Sequence, residues 1–287
     1  MELYIINKDG ESLDLLNNSK YFIMTKCEAL HGIDTELAEI DSPYIDGSQI
    51  EHVKALPRGI SLTLKLVPDI RDSIDFVTSI IKSKQYVTLH EIEKNRDITI
   101  KGVVKIPPYT RMLSMCELTL DIYCPAPYWQ DLNDVIGSIA MQIALLNFPS
   151  PNGQYLPYSI GRPFSVVNLD LEKTYNNNGD TTTGMLIYVN AIGELKNPTI
   201  HCSTGEQNGY SMTINYTLNE GDEVIINTNR GQKSIMLNGS INLLQYLTFT
   251  GDDWLQLETG DNTFNITADD DTESNAYFTI TFKRKYE

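Results

Sequence analysis

The chain has 287 residues, of which 41% are hydrophobic and 21% charged, enough for about two globular domains and too large for a scaffold that needs disulfide or metal staples. Its formal charge is −16, with 14 basic against 19 acidic residues up to Gln130 (net −5) and 8 against 19 beyond it (net −11), the wrong sign for binding nucleic acid through phosphates. The longest apolar stretch, Val135 to Phe148, is broken by Ser138, Gln142 and Asn147 and falls short of the ~20 residues of a span, so no membrane insertion is expected.

The opening residues Met1 to Asn7 lack a basic leader, an h-region and a small-residue cleavage site, which predicts synthesis in a cytoplasm. From Gly32 to Pro57 the apolar residues Ile33, Leu37, Ile40, Tyr44, Ile45, Ile50 and Val53 follow no sustained period of 2 or 3.6. Two readings fit such a stretch: an arm laid on a neighbouring subunit, or an ordinary packed loop. Arg58, just beyond it, either pairs with an acidic neighbour or caps a strand start. Strict alternation at Ile60 to Leu66 and at Leu118 to Cys124 predicts two half-buried strands, and shorter alternating runs lie at Tyr86 to Ile92 and Ile98 to Ile106. Between them, Ile70, Ile74, Val77 and Ile81 fall at i, i+4, i+7 and i+11 after Pro68, which predicts an amphipathic helix over 69–83 with Asp69 as N-cap.

A second helical period runs from Asp131 to about Leu146 through Leu132, Val135, Ile136, Ile139 and Ile143, weakened by Gly137. Pro125, Pro127, Pro149, Pro151, Pro157 and Pro163 crowd around it. Prolines deny ladder hydrogen bonds and favour extended linkers. The expected organisation is therefore 1–130 as a β domain with one packed helix, 131–163 as a helical, proline-rich connector, and 164–287 as a sandwich of short strands. The fold class is mainly β.

Motifs for chemistry are missing together. The sequence has no phosphate-cradling glycine loop, GxSxG, HExxH or GxGxxG, so no catalytic residues and no cofactor are assigned. Cys27, Cys116, Cys124 and Cys202 show no paired spacing and read as reduced thiols. Cys27 and His31 have a ligand-like gap without a second pair, so no metal site is assigned. The paired carboxylates Glu91/Glu93 and Asp222/Glu223, and the run Asp269 to Glu273, read as solvated acidic surface rather than as a glycosidase pair or a calcium loop. Trp254 is either a sugar-stacking residue or core.

The order of the weak motifs is more informative than any one of them. Asp46-Gly47, Pro57-Arg58-Gly59-Ile60-Ser61-Leu62, the helix from Asp69, and Leu120-Asp121-Ile122-Tyr123-Cys124-Pro125-Ala126-Pro127-Tyr128 resemble the N-terminal domain of the distal tail proteins of long-tailed, non-contractile bacteriophages. Asn178-Gly179-Asp180, Asn197-Pro198-Thr199-Ile200, Leu218 to Thr228 and Leu257 to Asn262 resemble the turns of that family's galectin-like, jelly-roll C-terminal sandwich. The resemblance implies a structural virion protein at the tail tip, assembled in the host cytoplasm as a homohexameric hub. Its partners would be the tail tube protein and the tail-tip and receptor-binding proteins, with DNA passing through the channel without specific binding. Ile33, Tyr44, Ile45, Ile50 and Arg58 are then the candidate ring contacts. A carbohydrate-binding module acting on bacterial cell-wall polysaccharide is the competing expectation, and Trp254 would carry its site.

Overall fold

The computed structural model describes the chain from Met1 to Glu287 except residues 42–45, 68, 95, 108–115, 140, 145–164, 169–170 and 252. It divides into two compact units, Met1–Leu132 with Lys285–Glu287, and Asn133–Arg284. No helix among the described residues is long and apolar enough to cross a membrane.

The first unit contains β1 (Glu2–Asn7), β2 (Ser12–Asp14), β3 (Phe22–Glu28), β4 (Thr35–Asp41), β5 (Ser48–Ala55), β6 (Arg58–Leu66), α1 (Ile70–Ile80), β7 (Tyr86–Glu93), β8 (Arg96–Lys105), β9 (Glu117–Cys124) and β10 (Trp129–Asp131). Its main sheet runs β2-β1-β7-β8-β9-β6-β3, and β10 bridges β8 to the C-terminal strand Lys285–Tyr286. Alternation decides which side is core. Ile60, Leu62, Leu64 and Leu66 of β6 and Leu118, Leu120 and Ile122 of β9 are buried, while the residues between them form the outer face.

Helix α1 covers the core with Ile70 and Val77, and Ile81 just beyond it is also buried. Phe76 stacks on Tyr21 at 4.0 Å. Asp69 stands at the N-cap in the left-handed region and makes no side-chain cap hydrogen bond; its carbonyl accepts from the Ser73 amide. Buried Asn7 holds the other end by donating to the Ile80 carbonyl at 3.1 Å.

In the second unit one antiparallel sheet runs in the order Val135–Ile139, Ala276–Phe282, Met185–Ala191, Glu223–Asn227, Ser234–Leu237 and Ile241–Asn242. The other runs Glu172–Asn177, Gly260–Asp269, Leu195–Cys202, Ser211–Ile214 and Leu247–Thr250. Ile187, Phe278 and Ile280 of the first sheet and Ile200, Phe264 and Ile266 of the second share one apolar core, so the unit is a β-sandwich.

The helical reading of 131–146 is corrected. Val135–Ile139 is a strand paired with Ala276–Phe282, and Met141–Ala144 pairs with Ser165–Asn168. Val135, Ile136 and Ile139 are β-branched and favour a pleated surface over a helix. Gly137 lies against Tyr175, which donates to its carbonyl at 3.0 Å; a Cβ there would meet the ring at 2.4 Å. The remaining proline-rich stretch, 145–164, lies outside the described residues.

Gly102, on the buried side of β8, is required by close packing. A Cβ would lie 2.6 Å from Ile122, 2.8 Å from the Tyr123 carbonyl oxygen and 2.9 Å from the Cys124 sulfur. Gly102→Val should lower unfolding stability by about 3 kcal/mol through overpacking, measured by urea titration. An unchanged midpoint would mean that β8 and β9 can separate freely.

Candidate assembly interface

Strands β4 and β5 form a two-stranded antiparallel sheet that pairs with no strand of the main sheet among the described residues. Asp46 and Gly47 lead into β5, with Gly47 at φ 88°, a conformation that glycine adopts without penalty. Leu37 lies opposite Val53 and Glu39 opposite Ile50, and a bulge between Ala38 and Glu39 shifts the register. Because facing residues share a side, the bulge brings Ile50 to the side of Leu37 and Val53.

That side has no core beneath it. Leu37, Ile50 and Val53 are 49%, 60% and 58% exposed, and Ile40 on the opposite side is 51% exposed. A lone hairpin is marginally stable in water, and these residues form an apolar strip that no other described residue covers.

The root is tied more firmly than the strands. Ala29 and Gly32 have positive φ and reverse the chain, and the Leu56 amide donates to the Asp34 carbonyl at 2.8 Å. The Leu30 carbonyl accepts twice, from Arg58 Nη1 at 2.5 Å and from Trp129 Nε1 at 2.8 Å. Arg58 is buried, and its Nε and Nη2 have no hydrogen-bond partner among the described residues. Burial lowers its pKa, an effect opposed by Cys124, Glu287 and Asp34.

Cys27, His31 and Glu91 also gather near this root. Glu91 is 2% exposed, with Oε1 3.4 Å from His31 Nε2 and Oε2 unpartnered. Burial, reinforced by the Glu91 charge, pushes the Cys27 thiol up to about 11. Burial also pushes Cys124 up to about 11 against the pull of Arg58. Both are therefore neutral thiols at pH 7. Cys27, His31 and Glu91 do not converge on a common point, and no group of three or more such side chains placed to hold one metal ion occurs among the described residues.

The candidate residues separate into three sets. Ile50 lies on the exposed strip and Ile33 is half-buried near the root. Arg58 is internal and presents no contact surface. Tyr44 and Ile45 lie outside the described residues. Trp254 is 7% exposed, sits in the core of the second unit and carries Lys233 Nζ over its ring at 5.8 Å, which leaves no open face for a sugar. Glu91 departs from the solvated reading because the alternation of β7 places it inward beside Leu89. Its charged side chain at an apolar strand position was the available signal.

Residues 178–286 match the family described as the siphovirus-type tail component, C-terminal domain. No curated protein matches the chain. Over 99% of both chains the fold aligns with the Dit protein (gp 19.1) of phage SPP1 at 14% identity and a TM-score of 0.66; that structure is described as a paradigm of the hub adsorption apparatus in phages infecting Gram-positive bacteria. A chain of the activated phage P2 baseplate solved with Ca aligns over 99% of this chain and 97% of its own at 12% identity, with a TM-score of 0.44. The C-terminal part of the chain thus resembles a siphovirus-type tail component domain, and over its whole length the chain shares the fold of the SPP1 Dit protein.

The root geometry gives a test. Arg58→Met removes a buried, incompletely paired charge, while Trp129 still satisfies the Leu30 carbonyl. Its unfolding free energy should stay level or rise by about 1 kcal/mol, whereas Trp129→Ala should lose roughly 4 kcal/mol. A loss of several kcal/mol in Arg58→Met, measured by chemical denaturation, would mean that the guanidinium holds the root.

Proposed function

We propose that the chain forms a homohexameric hub ring at the distal end of a siphophage tail tube, joining the tube to the host-adsorption tip proteins in the virion. The carrying observation is the β4–β5 hairpin, whose apolar strip is exposed in the isolated chain. A ring subunit needs heterologous contacts that close, and this strip supplies one side of such a contact. The family match over the second unit and the hub-protein fold support the reading.

On this reading the second unit is a docking surface for tail-tip and receptor-binding proteins. It exposes Ile241, Leu244, Tyr246 and Phe249, while its tryptophan is internal. The role is structural, and no step of catalysis is assigned to the chain.

The assembled mass decides the ring. Light scattering or sedimentation should give six times the mass of one chain, and Ile50→Asp should lower the assembled fraction, because a charge left unpaired in a buried contact costs several kcal/mol. A wild-type protein that stays monomeric at all concentrations would overturn the ring.

Charge gives the second test. Six copies of a chain of formal charge −16 would surround the passage, and a neutral or negative lining lets a duplex pass without salt-dependent attraction. The purified ring should show no retention on duplex DNA at about 50 mM salt, where electrostatic binding is strong. Binding that vanishes near ~200 mM would reveal a basic channel instead.

A further inference from the structure

The outer face of the first unit's main sheet carries a second unpartnered surface, and its chemistry complements the hairpin. Tyr86 lies opposite Val103, Val103 opposite Tyr123, and Tyr123 opposite Gly59. These four residues form one lateral row across β7, β8, β9 and β6. Tyr86 is 74% exposed and Tyr123 is 56% exposed. An apolar row of this kind on an outer face is the surface a protein partner covers.

The row ends in a notch that the chain's own packing does not require. Gly59 has no positive φ, and a Cβ built on it meets nothing within 4 Å. A groove of about 290 Å³ opens there between Gly59, Ser61, Lys105, Asp121 and Tyr123. Asp121 is engaged, accepting from Ser61 Oγ at 2.7 Å.

Charge identifies the occupant. Lys101 and Lys105 flank Val103 on the same strand face, and neither has an ion-pair partner among the described residues. From Thr35 to Ala55 the hairpin carries Glu36, Glu39, Asp41, Asp46 and Glu51 against a single basic residue, Lys54. An acidic hairpin with an apolar strip thus has a matching surface, an aromatic row bracketed by lysines, on another part of the same unit. Opposite charges at the rim steer and orient such a contact.

We infer that the β4–β5 hairpin of one copy docks on the Tyr86–Val103–Tyr123–Gly59 row of the next copy, with Leu37, Ile50 and Val53 on the aromatic row and the hairpin carboxylates near Lys101 and Lys105. The inference rests on the ring reading and names the two faces of its contact. The faces are different patches, so the contact is heterologous and propagates head to tail. Strands of seven and eight residues reach roughly 25 Å from their root, far enough to cross a subunit boundary.

Gly59→Trp is the most direct probe, because it fills the notch without meeting any atom of the chain's own fold at Cβ. Its circular dichroism and urea midpoint should match wild type, while its association constant, measured by sedimentation, should fall at least tenfold. Tagged Ile50→Cys and untagged Tyr123→Cys chains, co-expressed and treated with a short bis-maleimide, should give mixed cross-linked dimers that neither variant gives alone. An intact assembly with no mixed cross-link, and with Gly59→Trp of wild-type size, would overturn this docking and leave the ring standing. A monomeric wild-type protein would overturn both.

Discussion

The hairpin of the first unit turns on apolar side chains that nothing among the described residues buries. Removing apolar surface from water stabilises by about 25 cal/mol per Å², and a two-stranded hairpin has no second layer against which to gain it. The β4–β5 hairpin nevertheless places Leu37, Ile50 and Val53 on one side, and a bulge at Glu51 is what aligns them. A bulge spent on aligning three exposed apolar residues makes physical sense when another surface covers them. The contact that completes the hairpin then stabilises the assembly at the same time.

Such an arm works only if its base is stiff. The two donors that converge on the Leu30 carbonyl come from β6 and β10, strands that are themselves held in the main sheet. The C-terminal strand Lys285–Tyr286 adds a ladder to β10, and Tyr286 Oη donates to Asp131 at 2.9 Å. The hairpin therefore leaves the sheet from a point fixed by residues from both ends of the sequence. Stiffness at the root and exposure along the strands are complementary requirements of an arm that must find one partner geometry.

Period-2 patterns made the strands around Ile60 to Leu66 and Leu118 to Cys124 legible, because one of their faces is buried and the other is wet. The helix was legible for the same reason, although its N-cap works through backbone rather than the Asp69 side chain. The segment from Asp131 was misread because Val135, Ile136, Ile139 and Ile143 satisfy a helical spacing by coincidence, and partners distant in sequence, Ala276–Phe282 among them, decide the outcome. In the candidate interface, the lack of period in Gly32 to Pro57 left an arm and a packed loop equally open; the structure shows a hairpin whose bulge breaks the alternation. Arg58 and Trp254 could not be placed from sequence: a charged residue at a strand start and a tryptophan in a short run have the same local pattern inside and outside. The Tyr86–Val103–Tyr123–Gly59 row was invisible as well, because its residues lie on four strands and meet only through register.

Two glycines of the same sheet show how internal and external constraints separate. Gly102 faces the core, and the Tyr123 carbonyl leaves no room for a side chain, so the fold of the single chain accounts for it. Gly59 faces outward with ordinary backbone angles and open space around it, and nothing among the described residues accounts for it. A glycine in a strand weakens that strand by roughly 0.5–1 kcal/mol relative to alanine. That cost has a physical counterpart if a neighbouring chain must approach the backbone closely at this point. Nothing among the described residues covers the notch beside exposed Tyr123 or the strip on the hairpin, or forms an ion pair with Lys101 and Lys105. On the proposed docking, a single contact between copies would satisfy all three, because one heterologous interface would cover both apolar surfaces, fill the notch and pair the charges.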